Sequence, residues 1–359
     1  MREKLEYQAD RIEMVLGMHK VRARVTGGTV TPRSIRFRVH PALGARVSKI
    51  KRLSEELAVA LDADNCRVAR RGAAVDVEIA RDDPQPVRLL PLCRQLDVDE
   101  VPPLTAVLGL AADGGPLLIR LPSPDVAHML VAGTTGSGKT VLLQAIILSL
   151  AMLNGPDTLA LMLIDPKGSA FRPFEGLPQL SRGMIRGPEE AIESMQSLVR
   201  LMERRGEAEP AVGAERHVVL VIDELADLLM TGGDELRDSL TRLLQRGRGA
   251  GIHVVAATQK PMASVLGSLV TANFPVRLVG RVTNATDARV ASGWSDTGAE
   301  RLEGRGDFVA VAEGQVTRFQ TAYVSPREIR ETVSWISGAT KGVPPGPVRQ
   351  SAPALGGGR

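Results

Sequence analysis

Eight consecutive residues, Gly133, Thr134, Thr135, Gly136, Ser137, Gly138, Lys139 and Thr140, fit the spacing G-x-x-x-x-G-K-[ST]. Glycines at those positions let successive backbone N–H groups wrap a phosphate, and a helix starting at the end of the run adds positive potential. In such a loop the Lys139 ammonium reaches the β- and γ-phosphates of a nucleoside triphosphate, and the Thr140 hydroxyl ligates Mg²⁺. The alternative is a glycine turn followed by a chance Lys-Thr.

A phosphate loop needs acids on a neighbouring strand, and "HVVLVIDEL" (217–225) supplies two. Asp223 is placed to hold the magnesium through water, and Glu224 to polarise an attacking water as general base. Glu224 could instead be an acid that merely suits a helix N-terminus. Two carboxylates together favour ATP hydrolysis over nucleotide sensing. "IHVVAATQ" (252–259) ends in Thr258 and Gln259, at the edge where parallel sheets bind ligands. Gln259 is a candidate sensor of the γ-phosphate or its water, or the cap of a turn. Asp165 in "LIDPKG" ends another strand at that edge, as a site residue or an Asp-Pro turn former.

These residues must be positioned by strands of continuous apolar sequence alternating with amphipathic helices, the pattern of a parallel sheet covered on both faces. The expected strands are "AHMLVAG", "LALMLID", "HVVLVID", "IHVVAATQ" and "PVRLVGRV", with "DFVAVA" and "RFQTAYV" as antiparallel additions. Ahead of them, Ile35, Phe37 and Val39 alternate with Arg36, Arg38 and His40, the period of a half-buried strand. Val47, Ile50, Leu53, Leu57 and Leu61 then follow at helical spacing, and "AAVDVEIA" returns as a strand. The Pro-bearing stretch near "DVDEVPPL" is the expected boundary, giving a small α/β domain over 1–104 and a larger one over 105–335. Residues 336–359, rich in Pro and Gly, read as a disordered tail.

Composition narrows the partners. The 359 residues carry a net charge of +4, with 45 basic and 41 acidic residues, so a polyanion site must come from local arrangement. Aromatics are only 3%, too few for the stacking platforms of a single-strand binder. Any nucleic acid is then expected to be a duplex held by its phosphates. Two cysteines exclude a Cys-rich zinc site and suit a reducing cytosol. The apolar run "VLLQAIILSLAML" is too short for a bilayer, so no intrinsic membrane segment and a cytoplasmic location are expected.

Taken with "MLIDPKGSAF", "MERR" (202–205), "RGRGAGIHVVAATQKP", "TANFPVRLVGRV", "DAR" (287–289) and "GAERLEGRGDFV", these motifs resemble the FtsK/SpoIIIE/TraB-type double-stranded DNA translocases of the FtsK-HerA superfamily. The likeness covers about residues 10–330 in the family's order. It implies a RecA-like P-loop NTPase core with a parallel central sheet behind a smaller α/β domain, assembled as a homo-hexamer with double-stranded DNA in its channel. The cofactors it implies are ATP and Mg²⁺.

The same likeness gives a task to "LLQRGRGAGIH" (243–253). The resemblance implies that Arg248 acts in trans on a neighbour's ATP, with Arg246 the substitute if the match slips. The bland alternative is a cation that favours a helix C-terminus. The glycines are expected at left-handed positions closing a helix that starts near Asp234. Lys260 and Arg289 match basic DNA-contacting positions, whereas Thr271 and Ala285 stand where lysines are usual, with Arg281 a further candidate contact. The family's membrane domain and orienting winged-helix module are not recognised, so direction is expected from loading or a recruiting protein partner. Two other functions stay open: a superfamily ATPase for conjugative DNA transfer or protein secretion, and a catalytically silent ring.

Overall fold

A computed structural model describes residues 2–207, 216–259, 272–339 and 346–347. The chain forms two compact units. One comprises the residues up to Pro86 together with Ala112–Gly115; the other comprises Val87–Ala111 and the chain from Pro116 onward.

The first unit opens with helix α1 (Arg2–Met18), followed by β1 (Ala23–Val30), β2 (Ser34–Pro41), α2 (Val47–Arg52), α3 (Ser54–Ala60), β3 (Cys66–Arg71) and β4 (Ala74–Ala80). The strands form one antiparallel sheet in the order β1-β2-β4-β3. Ile12, Leu16, Phe37, Val39, Ile50, Leu57, Val75 and Val77 fill its core. The helical period from Val47 to Leu61 holds, but the helix opens at Leu53 into two short pieces. Arg36 departs from simple alternation: it is buried on the other face of β2 beside the equally buried Asp76, 3.7 Å away. A buried guanidinium needs such a partner, since its desolvation goes uncompensated otherwise.

The second unit contains α4 (Leu89–Arg94), β5 (Thr105–Ala111), β6 (Pro116–Arg120), β7 (Met129–Ala132), α5 (Lys139–Leu153), β8 (Leu159–Ile164), α6 (Pro188–Glu207), β9 (His217–Ile222), α7 (Leu225–Thr231), α8 (Gly233–Arg246) and β10 (Ile252–Thr258). It continues with β11 (Val276–Gly280), a helix Ala285–Ser292, β12 (Asp307–Ala312), β13 (Gln315–Thr321) and a helix Pro326–Ile336. Leu89, Leu90, Leu92 and Cys93 are buried in this unit's core, so the division falls at Pro86 and the Pro-bearing stretch near residue 104 is an internal loop. Apolar content on α4, not the prolines after it, decides where the chain changes unit.

Nine strands form one mixed sheet in the order β6-β5-β13-β12-β11-β7-β10-β9-β8. The strands β11, β7, β10, β9 and β8 run parallel, as expected, and β12 and β13 add antiparallel. The antiparallel β5 and β6 extend that edge further. This extension accounts for α5, which is apolar almost all round and buried along its length. Polar groups in its buried middle and at its C-cap bond to backbone: Gln144 donates to Ala170 O, Ser149 accepts from Val107 N–H, and the capping Asn154 accepts from Leu104 N–H. Among the described residues no helix is long and apolar enough to cross a membrane. Most of the sequence from 336 onward, including the expected tail, lies outside the described residues.

Candidate nucleotide site

The fully buried β7 ends at Ala132, and residues 133–138 loop back to start α5 at Lys139. Gly138 caps the helix with φ 106°, and a Cβ there would sit 2.7 Å from Gly306 N, so neither its backbone angle nor its surroundings admit a side chain. The fit is reciprocal. Gly306 N–H donates to Ser137 O at 2.7 Å and Arg305 N–H to Gly136 O at 3.0 Å, while Thr134 donates to Arg281 O through both its N–H and its hydroxyl. The turn before β12 is itself held by Asp307, which pairs with Arg318 through two 2.8 Å bonds and accepts from Glu303 N–H. The family motif contains "GRGD" (304–307) but does not by itself reveal this locking role; two glycines before an Asp at a strand start are the only local signal.

Lys139 is buried, and its ammonium donates to Gly133 O at 2.7 Å and Thr134 O at 3.1 Å. Burial lowers its pKa, and the Glu224 and Asp223 carboxylates oppose that shift. Parallel pairing brings the acids in from β9: Asp223 N–H donates to Ile164 O, and the Thr140 hydroxyl reaches Asp223 Oδ1 at 3.4 Å. Burial raises the Asp223 pKa, reinforced by Asp165 and Glu224. Glu224 is 3% exposed and accepts the Gln259 N–H with both carboxylate oxygens, each at 3.2 Å. The Gln259 side chain turns the other way and accepts from the Thr135 hydroxyl at 2.8 Å. Gln259 therefore ties the loop to the second acid. Asp165 spends its carboxylate closing a turn, accepting Gly168 N–H and Phe171 N–H. These bonds make the turn, and the same carboxylate stands near enough to Asp223 to act on it.

The remaining expected residues separate. Arg281 stands beside the phosphate loop, with its carbonyl on Thr134 and its guanidinium against Gly304. Arg289 is exposed on the helix Ala285–Ser292. Lys260 and Thr271 lie outside the described residues.

Arg248 lies across the sheet from its own chain's loop. It sits in a 3₁₀ turn, Gly247–Ala250, before β10, whereas Gln259 follows β10's last residue. Seven strand residues at about 3.3 Å each put roughly 20 Å between the two edges. Arg248 is exposed and donates to Pro124 O at 2.9 Å. The glycines of this stretch differ from expectation. Gly247 is right-handed at φ −60°, and only Gly251 is left-handed, at φ 66°. The helix tightens into a further turn instead of stopping, and close packing of Gly247 on Ile252 O and His128 supplies the demand for a glycine there.

Below that turn three histidines meet. His253 Nδ1 donates to Ala127 O, so its Nε2 accepts from His217 Nδ1 at 3.0 Å; His128 Nδ1 accepts from Val254 N–H. Burial pushes His128 down to about 3 and His253 down to about 4. Both bind a proton in the unfolded chain below about pH 6.5 and stay neutral in the fold, so stability falls as pH drops from there toward 4. At pH 4.5 the loss is about 2 to 3 kcal/mol per histidine. Thermal unfolding between pH 7 and 4.5 tests this: His128→Gln should flatten the dependence by about one proton, and an unchanged slope would refute the assignment.

The sequence matches the FtsK/SpoIIIE family model over residues 93–211 and 206–263, and the FtsK alpha domain over residues 1–80. Similar curated proteins include DNA translocase FtsK of Staphylococcus epidermidis, 32% identical over 90% of this chain and 44% of that protein. DNA translocase SftA of Bacillus subtilis is 33% identical over 92% of this chain and 37% of that protein. The chain thus spans less than half the length of these relatives. Among solved structures, the pCW3 conjugation coupling protein TcpA with ATPγS has a TM-score of 0.61 at 19% identity, over 90% of this chain and 98% of that one. The cytoplasmic domain of the Thermomonospora curvata type VII secretion ATPase EccC has a TM-score of 0.57 at 26% identity, over 72% of this chain and 34% of that one. The α/β core is thus that of the P-loop ATPases.

Proposed function

Since the chain belongs to the FtsK/SpoIIIE family, we propose that it is an ATP hydrolase that drives double-stranded DNA through a ring of six copies in the cytoplasm. The supporting observation is the meeting of Lys139, Thr140, Asp223, Glu224 and Gln259 at one sheet edge.

The residues fit magnesium. Thr140 and Asp223 offer two oxygens 3.4 Å apart, in a crowd of acids whose repulsion a divalent cation relieves. Mg²⁺ takes one or two protein oxygens and fills its octahedron with phosphate and water, so no cage of protein ligands is needed. Among the described residues no such cage occurs. Thr140 and Asp223 would hold the ion, Asp223 through water, and when bound it neutralises charge on the β- and γ-phosphates.

In the proposed cycle the backbone of Gly133, Thr134, Thr135, Gly136, Ser137 and Gly138 wraps the phosphates. Lys139 exchanges its loop carbonyls for phosphate oxygens. Glu224, held by Gln259 N–H, takes the proton of the attacking water. Gln259, bonded to Thr135 of the loop, senses the γ-phosphate. Arg248 serves a neighbouring subunit, a role supported by its place at the far edge of its own sheet from its own loop. Lys260 and Arg289 bind DNA phosphates, with Arg281, nearer the loop, the third candidate.

Steady-state ATP hydrolysis with long duplex DNA, single-stranded DNA or none tests the function. Duplex should raise turnover, and removing one phosphate-binding cation, as in Arg289→Ala, should reduce the salt slope of binding by about 0.9. A protein that hydrolyses ATP but neither binds duplex nor responds to it would instead support the coupling or secretion role named for TcpA and EccC. Particle mass with and without nucleotide tests the hexamer and whether it forms before DNA arrives.

A further inference from the structure

The run MERR at 202–205 has no task in that cycle, yet its last arginine makes a specific connection. Arg205, half-buried near the end of α6, donates to Ala250 O at 2.7 Å and to Arg216 O at 2.8 Å. Ala250 closes the 3₁₀ turn that carries Arg248, and Arg216 immediately precedes β9. One guanidinium thus ties the turn to the start of the neighbouring strand. Its planar fork of fixed donors bridges two carbonyls in a single geometry, which a lysine ammonium does not reproduce.

The tie lies on a stiff support. The strands β9 and β10 pair in register from Val218 and Ile252 to Ile222 and Ala256, and directly beyond their other ends stand Asp223, Glu224 and Gln259. Within the turn, Gly251 N–H donates to Arg248 O, and the exposed Arg248 side chain rests on Pro124 O. These bonds shape the turn locally. Arg205 adds a side-chain tie from α6 to the turn and to the residue before β9, beside the bond that Val218 N–H donates to Gly251 O.

From this geometry we infer that Arg205 is a positioning residue for Arg248, fixing the direction in which that arginine leaves its subunit. The inference rests on the proposed trans role of Arg248. A finger must meet a γ-phosphoryl group across a boundary, and a displacement of about 1 Å can cost about 10²-fold in rate.

The test compares Arg205→Ala, Arg205→Lys and Arg248→Ala in the full chain, each alone and mixed with Lys139→Ala subunits. A Lys139→Ala subunit hydrolyses nothing itself but presents an intact Arg248. Arg205→Ala should lower kcat by about 10- to 100-fold with KM for ATP little changed, and Arg205→Lys should fall between it and the parent. Mixing with Lys139→Ala should restore turnover to both Arg205→Ala and Arg248→Ala, because each retains a sound ATP site that now faces a well-placed arginine. Loss of folding alone would not be restored by mixing. Near-parental turnover of Arg205→Ala, or a loss that mixing fails to restore while it restores Arg248→Ala, overturns the positioning role. An Arg248→Ala protein that keeps its turnover, or that mixing cannot restore, overturns the trans reading and this inference with it.

Discussion

Glu224→Gln should lower ATP turnover by about 10² to 10⁴-fold while leaving nucleotide binding in place, the loss typical of removing a general base. This corresponds to about 3 to 5 kcal/mol in the barrier. The substitution separates chemistry from structure because Glu224 accepts the Gln259 N–H with both oxygens, and a glutamine keeps one acceptor in the same place. The end of β10, and through the Gln259 side chain the bond with Thr135, should therefore persist. Lys139→Ala should behave differently: it removes the cation proposed to bind phosphate and should weaken binding as well as turnover. Single-turnover hydrolysis together with titration of a fluorescent ATP analogue distinguishes the two. Glu224→Gln turnover within a few fold of the parent would reject Glu224 as the base and leave its bond with Gln259 as its whole role.

Arg248→Ala is expected to reduce kcat by at least about 10³-fold, the lower end of what an arginine finger contributes by neutralising charge on the γ-phosphoryl group. Its effect on stability should stay within about 0.5 kcal/mol, because the side chain is exposed and its bond to Pro124 O is at the surface. A residue that acts only across a boundary should also show dilution behaviour: turnover per subunit in the parent should fall as the assembly dissociates, and Arg248→Ala should already be low at every concentration. Arg246, exposed at the end of α8, is the internal control. If Arg246→Ala loses turnover and Arg248→Ala does not, the finger belongs to Arg246. Normal turnover in both variants would leave the turn with only its structural part.

Much of the site was legible because its chemistry is written in contiguous residues. A loop that wraps phosphate needs glycines with positive φ next to a helix start, and a strand that ends in acids shows its apolar run before them. Gly138 and the Asp223-Glu224 pair occupy those places. Five parallel strands were legible for the same reason, since a strand buried on both faces has no polar alternation to confuse with a surface. Gly247 and Gly249 depart from the expected left-handed conformation while Gly251 keeps it, because a glycine in the sequence does not state which constraint, if any, calls for it. Whether backbone angle or close packing excludes a side chain depends on what lies opposite, here Ile252 O and His128 for Gly247.

The sequence by itself determined the glycine-rich loop before α5, the two acids that follow β9, the parallel core and the leading α/β unit, since each follows from the period or spacing of neighbouring residues. Tertiary structure decided that the chain changes unit at Pro86, that the turn at 304–306 locks the phosphate loop, that Arg36 needs Asp76, and that Arg205 holds the Arg248 turn. Each of those depends on which distant group fills a hydrogen-bonding or apolar requirement. Local sequence states that requirement, and only the packed chain supplies its partner.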